Sequence, residues 1–159
     1  MTVLWFRGDA PRAHSKGCFL NGRLDMSLAN DIQEVGRVID TLEEFGAAQG
    51  ISPGEALRFG LVLDELITNI VSYGLVGRPD GVITLSIEHD EGRLRAELAD
   101  NGPPFDPLTA EPTEPSGDVA DRAIGGLGLK IVKNVLDRLD YRRADGVNRI
   151  TMEMKLKAA

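Results

Sequence analysis

Two runs of alternating apolar and polar residues, 81–89 and 93–100, flank the turn Asp90-Glu91-Gly92 and predict a β-hairpin. A hairpin with one apolar face needs a cover, and the segments before it have helical spacing. Ile32, Val35, Val38, Ile39, Leu42 and Phe45 form one such pattern, with Ser27 or Asn30 as its cap and Gly46 and Gln49-Gly50 as its stop. A second opens at Ser52-Pro53, with proline at the first helical position, and runs through Phe59, Leu63, Leu66 and Ile70 to about Tyr73 before Gly74. Leu20, Leu24 and Met26 suggest a strand over 18–26. Beyond the hairpin come a loop, a third helical pattern from Leu129 to Leu139, and two strands, about 140–143 and 148–157, around Ala144-Asp145-Gly146. The chain is therefore expected to be α+β: a two-layer sandwich whose mixed, mostly antiparallel sheet is covered on one face by helices. Its 159 residues suit one domain.

Charge narrows the partners. Residues 25–104 carry fifteen acids and five bases, which argues against a nucleic-acid groove. The basic excess lies in 122–159, where nine bases meet four acids. These either form a solvated face or help to hold a polyphosphate. No apolar run approaches the roughly 20 residues that a spanning helix needs. The single Cys18 has no partner for a disulfide, and a cytoplasmic protein is expected.

Three sets of residues are candidates for chemistry. Glu65 and Asn69 lie four apart, hence on one helical face. They are either a solvated stripe or a carboxylate beside an amide oxygen able to ligate Mg²⁺, and Asn is a poor choice for mid-helix. Asp100-Asn101-Gly102 is either a strand-ending turn or an acceptor for a base amino group with room for close approach. Gly125-Gly126-Leu127-Gly128 lies between a loop rich in proline and acid (102–123, five of the eight prolines) and a helix. There its backbone N–H groups can meet an anion. The pattern is neither a P-loop nor a dinucleotide turn following a strand.

Taken in order, Glu65-x-x-x-Asn69, Asp100-x-Gly102, a lid-like loop and Gly126-x-Gly128 resemble the GHKL ATPase superfamily. That group includes gyrase-type ATPases, chaperones, histidine-kinase catalytic domains and anti-sigma-factor serine kinases. The resemblance spans residues 20–157. It is nearest to the bacterial anti-sigma-factor serine/threonine kinases in LVLDELITNIVSYG (61–74), LADNGPPFDP (98–107) and GGLGLKIVKNVLDRLDYRR (125–143).

The resemblance implies a histidine-kinase-like ATPase fold that binds ATP and Mg²⁺. Asn69 would hold the metal and Glu65 would act as general base. Asp100 would bind the adenine amino group, and Gly102 would line the base pocket. Gly126 and Gly128 would cradle phosphates, while Gly125 and Leu127 shape the turn. Thr151 would lie near the adenine-binding aspartate, although Ile150 stands where a glycine is usual. Segment 103–124 would be the ATP lid, and residues 1–19 are an extension with no counterpart. The implied activity is serine/threonine phosphorylation of an anti-sigma-factor antagonist by a homodimer that also sequesters a sigma factor. The alternative is a nucleotide-gated protein-binding regulator without kinase activity. A histidine kinase is disfavoured, because neither His14 nor His89 lies in a long helical hairpin.

Overall fold

The computed structural model describes residues 18–109 and 126–158. Most of the extension at 1–19, much of the segment expected as a lid, and Gly125 lie outside the described residues.

Among the described residues, six strands and three helices run in the order β1 (Cys18–Leu20), β2 (Arg23–Ala29), α1 (Glu34–Ala48), α2 (Pro53–Asn69), β3 (Val82–Asp90), β4 (Arg93–Asp100), α3 (Gly126–Val135), β5 (Arg138–Ala144) and β6 (Val147–Lys155). The strands form one sheet in the order β1-β2-β3-β4-β6-β5, and every neighbouring pair is antiparallel. The α+β sandwich is as expected from sequence. The parallel component that a mixed sheet would need is absent among the described strands.

Three two-residue turns set the strand pairing. Asn21-Gly22, Glu91-Gly92 and Asp145-Gly146 all have positive φ at both positions, between 47° and 76°. Left-handed backbone at both central residues matches the twist of the flanking strands, so each turn closes a tight hairpin. The run expected as one strand over 18–26 is therefore two strands folded on each other at Asn21-Gly22.

Both the α1–α2 pair and α3 lie on one face of the sheet. Alternation along each strand sends Leu24, Met26, Leu28, Ile83, Leu85 and Ile87 to that face, where Phe45, Phe59 and Leu63 cover them. The opposite face is polar. Arg23 forks onto Asp25 at 2.7 and 3.0 Å, Arg93 and Arg95 share Glu153, and Arg149 meets Glu97 at 2.7 Å.

Helix ends explain two differences from the sequence reading. Ser52 caps α2 as expected, accepting from the Glu55 N–H at 3.3 Å. Neither Ser27 nor Asn30 caps α1: Ser27 is inside β2, and the helix starts later, after Gln33. Asn30 instead donates to the carbonyls of Leu75 and Arg78 at 2.8 and 3.0 Å, pinning the loop that leads into β3. The last turn of the second helix, Ile70–Gly74, widens to a π-turn directly after Asn69. Such widened turns are often found at functional sites. No helix among the described residues is long and apolar enough to cross a membrane.

Candidate functional site

β4 ends at Asp100, which has the same parity as Leu94, Ala96 and Leu98 and so faces the helices. Its side chain is buried, with 2% exposure. Oδ1 accepts the Gly102 N–H at 2.9 Å and the Asn148 amide N–H at 3.0 Å. Oδ2 takes no hydrogen bond from a described residue. It is not sealed off, because Asn30 Oδ1 is the one described side-chain polar atom that is both enclosed and unpaired. Burial pushes the Asp100 carboxyl up from the ordinary aspartate range, against the opposing pull of Asn148, Gly102 and the Arg143 charge. Asn101 performs the plain turn function, its Oδ1 accepting the Val82 N–H at 2.8 Å.

Gly102 has no room for a side chain. A Cβ there would lie 2.8 Å from Leu75, 2.9 Å from Asp100 Oδ1 and 3.0 Å from the Gly74 carbonyl. The end of β4 and the end of the π-turn therefore meet backbone to backbone. Phe105 closes the same corner, lying where a Cβ at Gly74 would come within 3.2 Å.

The π-turn leads back to Asn69 and, one turn earlier on the same face of α2, to Glu65. Asn69 is 4% exposed, yet its amide makes no hydrogen bond with another described residue. Its amide is not among the enclosed, unpaired polar atoms, so it remains open to a partner. Glu65 is half-buried and has neither an ion pair nor a hydrogen bond among the described residues. Its carboxylate lies against Gly128: a Cβ on that glycine would come 1.9 Å from Oε1 and 2.0 Å from Cδ. The first turn of α3, which opens at Gly126, is thus seated against the Glu65 carboxylate. Leu127 lies in that same turn.

The structure brings Asp100 to Gly102, and Glu65 to Gly128. It does not bring Thr151 to Asp100. In the β4–β6 register Asp100 pairs with Asn148, and Thr151 pairs with Glu97 on the exposed polar face. Three residues along a strand is an odd step, which reverses the side chain's direction. The residue at the aspartate is Asn148, which the sequence reading passed over. With it come Tyr141, whose hydroxyl donates to Asn148 Oδ1 at 2.7 Å, and Arg143, which donates to the same oxygen at 2.8 Å and to the Gly102 carbonyl at 3.0 Å. Counting pairs back from the Asp145-Gly146 turn sets Arg143 opposite Asn148, but only the β4–β6 register brings them to Asp100.

No group of three or more His, Cys, Asp or Glu side chains among the described residues is placed to hold a metal ion. The model of the histidine kinase-like ATPase domain matches residues 28–154. The serine/threonine-protein kinase BtrW of Bordetella bronchiseptica is 33% identical over 98 residues, 60% of this chain and 69% of that protein. The serine-protein kinase RsbW of Listeria innocua is 33% identical over 92 residues, and the match spans 55% of this chain and 59% of that relative. RsbW of Bacillus subtilis matches at 25% identity over 128 residues, 78% of this chain and 80% of that protein. The RsbU and RsbW domains of a Mycobacterium tuberculosis protein superpose with a TM-score of 0.63 at 17% identity, over 87% of this chain and 34% of that one, which speaks to the fold alone.

Proposed function

The chain belongs to the family of histidine kinase-like ATPase domains, and on that footing we propose that it is an ATP-dependent anti-sigma regulatory factor that phosphorylates a serine or threonine of an anti-sigma-factor antagonist. The observation that carries the reading is the pairing on α2 of Glu65 with a buried Asn69, both without a side-chain partner among the described residues, against the glycine-rich start of α3. The names of the relatives from Bordetella and Listeria, both protein kinases acting on serine or threonine, support it.

In this reading Asp100 Oδ2 accepts from the adenine amino group, and Gly102 keeps that edge of the pocket flat. The N–H groups at the start of α3 face the phosphates, where a helix N-terminus favours negative charge. Asn69 fits a Mg²⁺ site, because magnesium keeps most of its shell as water and phosphate and takes few protein ligands. Bound there, Mg²⁺ would neutralise charge on the triphosphate. Glu65 accepts the proton of the acceptor hydroxyl as its oxygen bonds to the γ-phosphorus and the bond to the β-phosphate oxygen breaks, leaving ADP and a phosphoester. The new phosphate charge on the antagonist would then weaken its hold on an acidic protein. A homodimer and sequestration of a sigma factor belong to the same proposal.

The test is transfer of labelled γ-phosphate to candidate antagonists, run beside nucleotide titration with and without Mg²⁺. Transfer that vanishes in Glu65→Gln while ATP still binds is the expected result. Tight ATP binding with no transfer to any antagonist would favour the nucleotide-gated regulator. No ATP binding at all would end the reading.

A further inference from the structure

Asn148 does more than fill a place in β6. It is 1% exposed, and its amide is fully engaged. Nδ2 donates to Asp100 Oδ1 at 3.0 Å and to the Pro103 carbonyl at 2.8 Å. Oδ1 accepts from the Tyr141 hydroxyl at 2.7 Å and from Arg143 at 2.8 Å. Turning the amide over would set its NH₂ against an arginine and its oxygen against a carbonyl and a carboxylate. The neighbours therefore fix which atom faces Asp100. Arg143 also holds the Gly102 carbonyl, so one small network ties the aspartate, the turn after it and the first proline of the following segment.

The consequence falls on Asp100. Two N–H donors converge on Oδ1, and neither can accept a proton back. While the carboxyl is ionised, the second oxygen, which is not enclosed, is an acceptor. A purine with a 6-amino group offers that oxygen a donor, whereas a 6-oxo purine offers another acceptor and is repelled. We infer that Asn148 is a positioning residue for base selection: by fixing Asp100 through Oδ1, it sets the preference for a 6-amino over a 6-oxo purine nucleotide. The inference rests on the ATP-binding reading proposed above.

The experiment compares the affinity of the full chain for ATP and for inosine triphosphate, by calorimetric titration, in the unmodified protein and in Asn148→Leu. Leucine keeps the branched heavy-atom skeleton and removes the donor. The expected result is a fall of about tenfold in the ATP-to-inosine ratio, near the contribution of one hydrogen bond to a charged group. A purely structural role would weaken both nucleotides equally and leave the ratio unmoved. That outcome, or no change at all, overturns the inference. If the leucine variant shows no cooperative melt, Tyr141→Phe carries the test, since it removes one donor to Asn148 and leaves the buried amide in place. A two- to threefold fall in the ratio then supports the inference, and an unchanged ratio overturns it. An unmodified chain that fails to bind ATP overturns the ATP-binding reading and this inference with it, and is recognised because no substitution is involved.

Discussion

The two ends of the candidate site handle buried polar groups in opposite ways. At the end of β4, Asp100 and Asn148 are saturated on their inner sides, each bond between 2.7 and 3.0 Å. At the end of α2, Asn69 is almost as deeply buried but has no partner among the described residues, and Glu65 has none either. A network that is complete before a ligand arrives costs little further ordering on binding, and so acts as a rigid template. Polar groups left open are stabilised only when something binds them. On the proposed function, recognition of the base would be built into the sheet, whereas the chemistry at the phosphates would be completed by the ligand.

The largest test strikes the open end. Glu65→Gln should lower phosphoryl transfer by roughly 10²–10⁴-fold, the usual contribution of a positioned general base, and leave ATP affinity within a small factor. Gly128→Ala should resemble it without touching a charge. A methyl placed 1.9 Å from Oε1 must push the carboxylate aside. A displacement of that size costs about 10²-fold in rate. Turnover measured beside ATP affinity checks both. If the alanine variant lost affinity and kept its turnover number, the glycine would serve the phosphates alone and the contrast between the ends would weaken.

The saturated end should respond in affinity and in pH dependence. Asp100→Asn should weaken ATP by more than about tenfold, since it replaces a charged acceptor by an amide. The carboxyl of Asp100 is raised by burial, so the folded chain holds its proton more tightly than the unfolded one. Stability therefore falls as pH rises from the ordinary aspartate range through the folded value, and it is level above that. The asparagine variant should lack this fall. Urea titrations of the two proteins at several pH values, without nucleotide, would reveal it. An identical pH slope in both would mean that Asp100 is not strained by its burial.

These two ends were not equally legible in the sequence. Glu65 and Asn69 stand out because helical spacing alone puts them on one face, and a mid-helix asparagine is unusual. Asp100 and Gly102 were visible as a strand end. Asn148, Tyr141 and Arg143 were not, because each looks like an ordinary strand residue until the β4–β6 register is known. Register is a long-range property, fixed here by the Asp145-Gly146 turn and by which strand slots beside β4. The division at Asn21-Gly22, by contrast, was open to view: Asn-Gly between alternating residues is itself a hairpin signal. Neither reading of Ser27 and Asn30 as helix caps could be checked locally, since the long-range bonds from Asn30 to Leu75 and Arg78 decide the second.

Asn69→Ala offers a smaller and two-sided test of the open end. Losing the amide oxygen should remove the part of ATP affinity that depends on Mg²⁺, about tenfold. It should cost the nucleotide-free protein no stability, because no bond to a described residue is broken. A clear loss of stability without nucleotide would place Asn69 in a structural network and blur the comparison. Thermal melts of the free protein, paired with ATP titrations in Mg²⁺ and in chelator, separate the two results.

The smallest expected effect lies on the other side of the sheet. Thr151 is exposed, faces away from the helices and pairs with Glu97. Asn148, three residues back, is 1% exposed on the helix side, opposite Asp100. Both belong to β6, so a substitution at either perturbs the same strand. Thr151→Val keeps the shape and the β-branched preference for a strand while deleting the hydroxyl. It should leave ATP affinity, and the preference over inosine triphosphate, within about twofold, because an exposed hydroxyl far from any bound group contributes little. The same titrations used for Asn148→Leu measure it. A fivefold loss in Thr151→Val would mean that the strand slides by an odd number of residues when nucleotide binds, since only such a slip turns Thr151 toward Asp100. It would then be β6, rather than the end of α2, that the ligand rearranges.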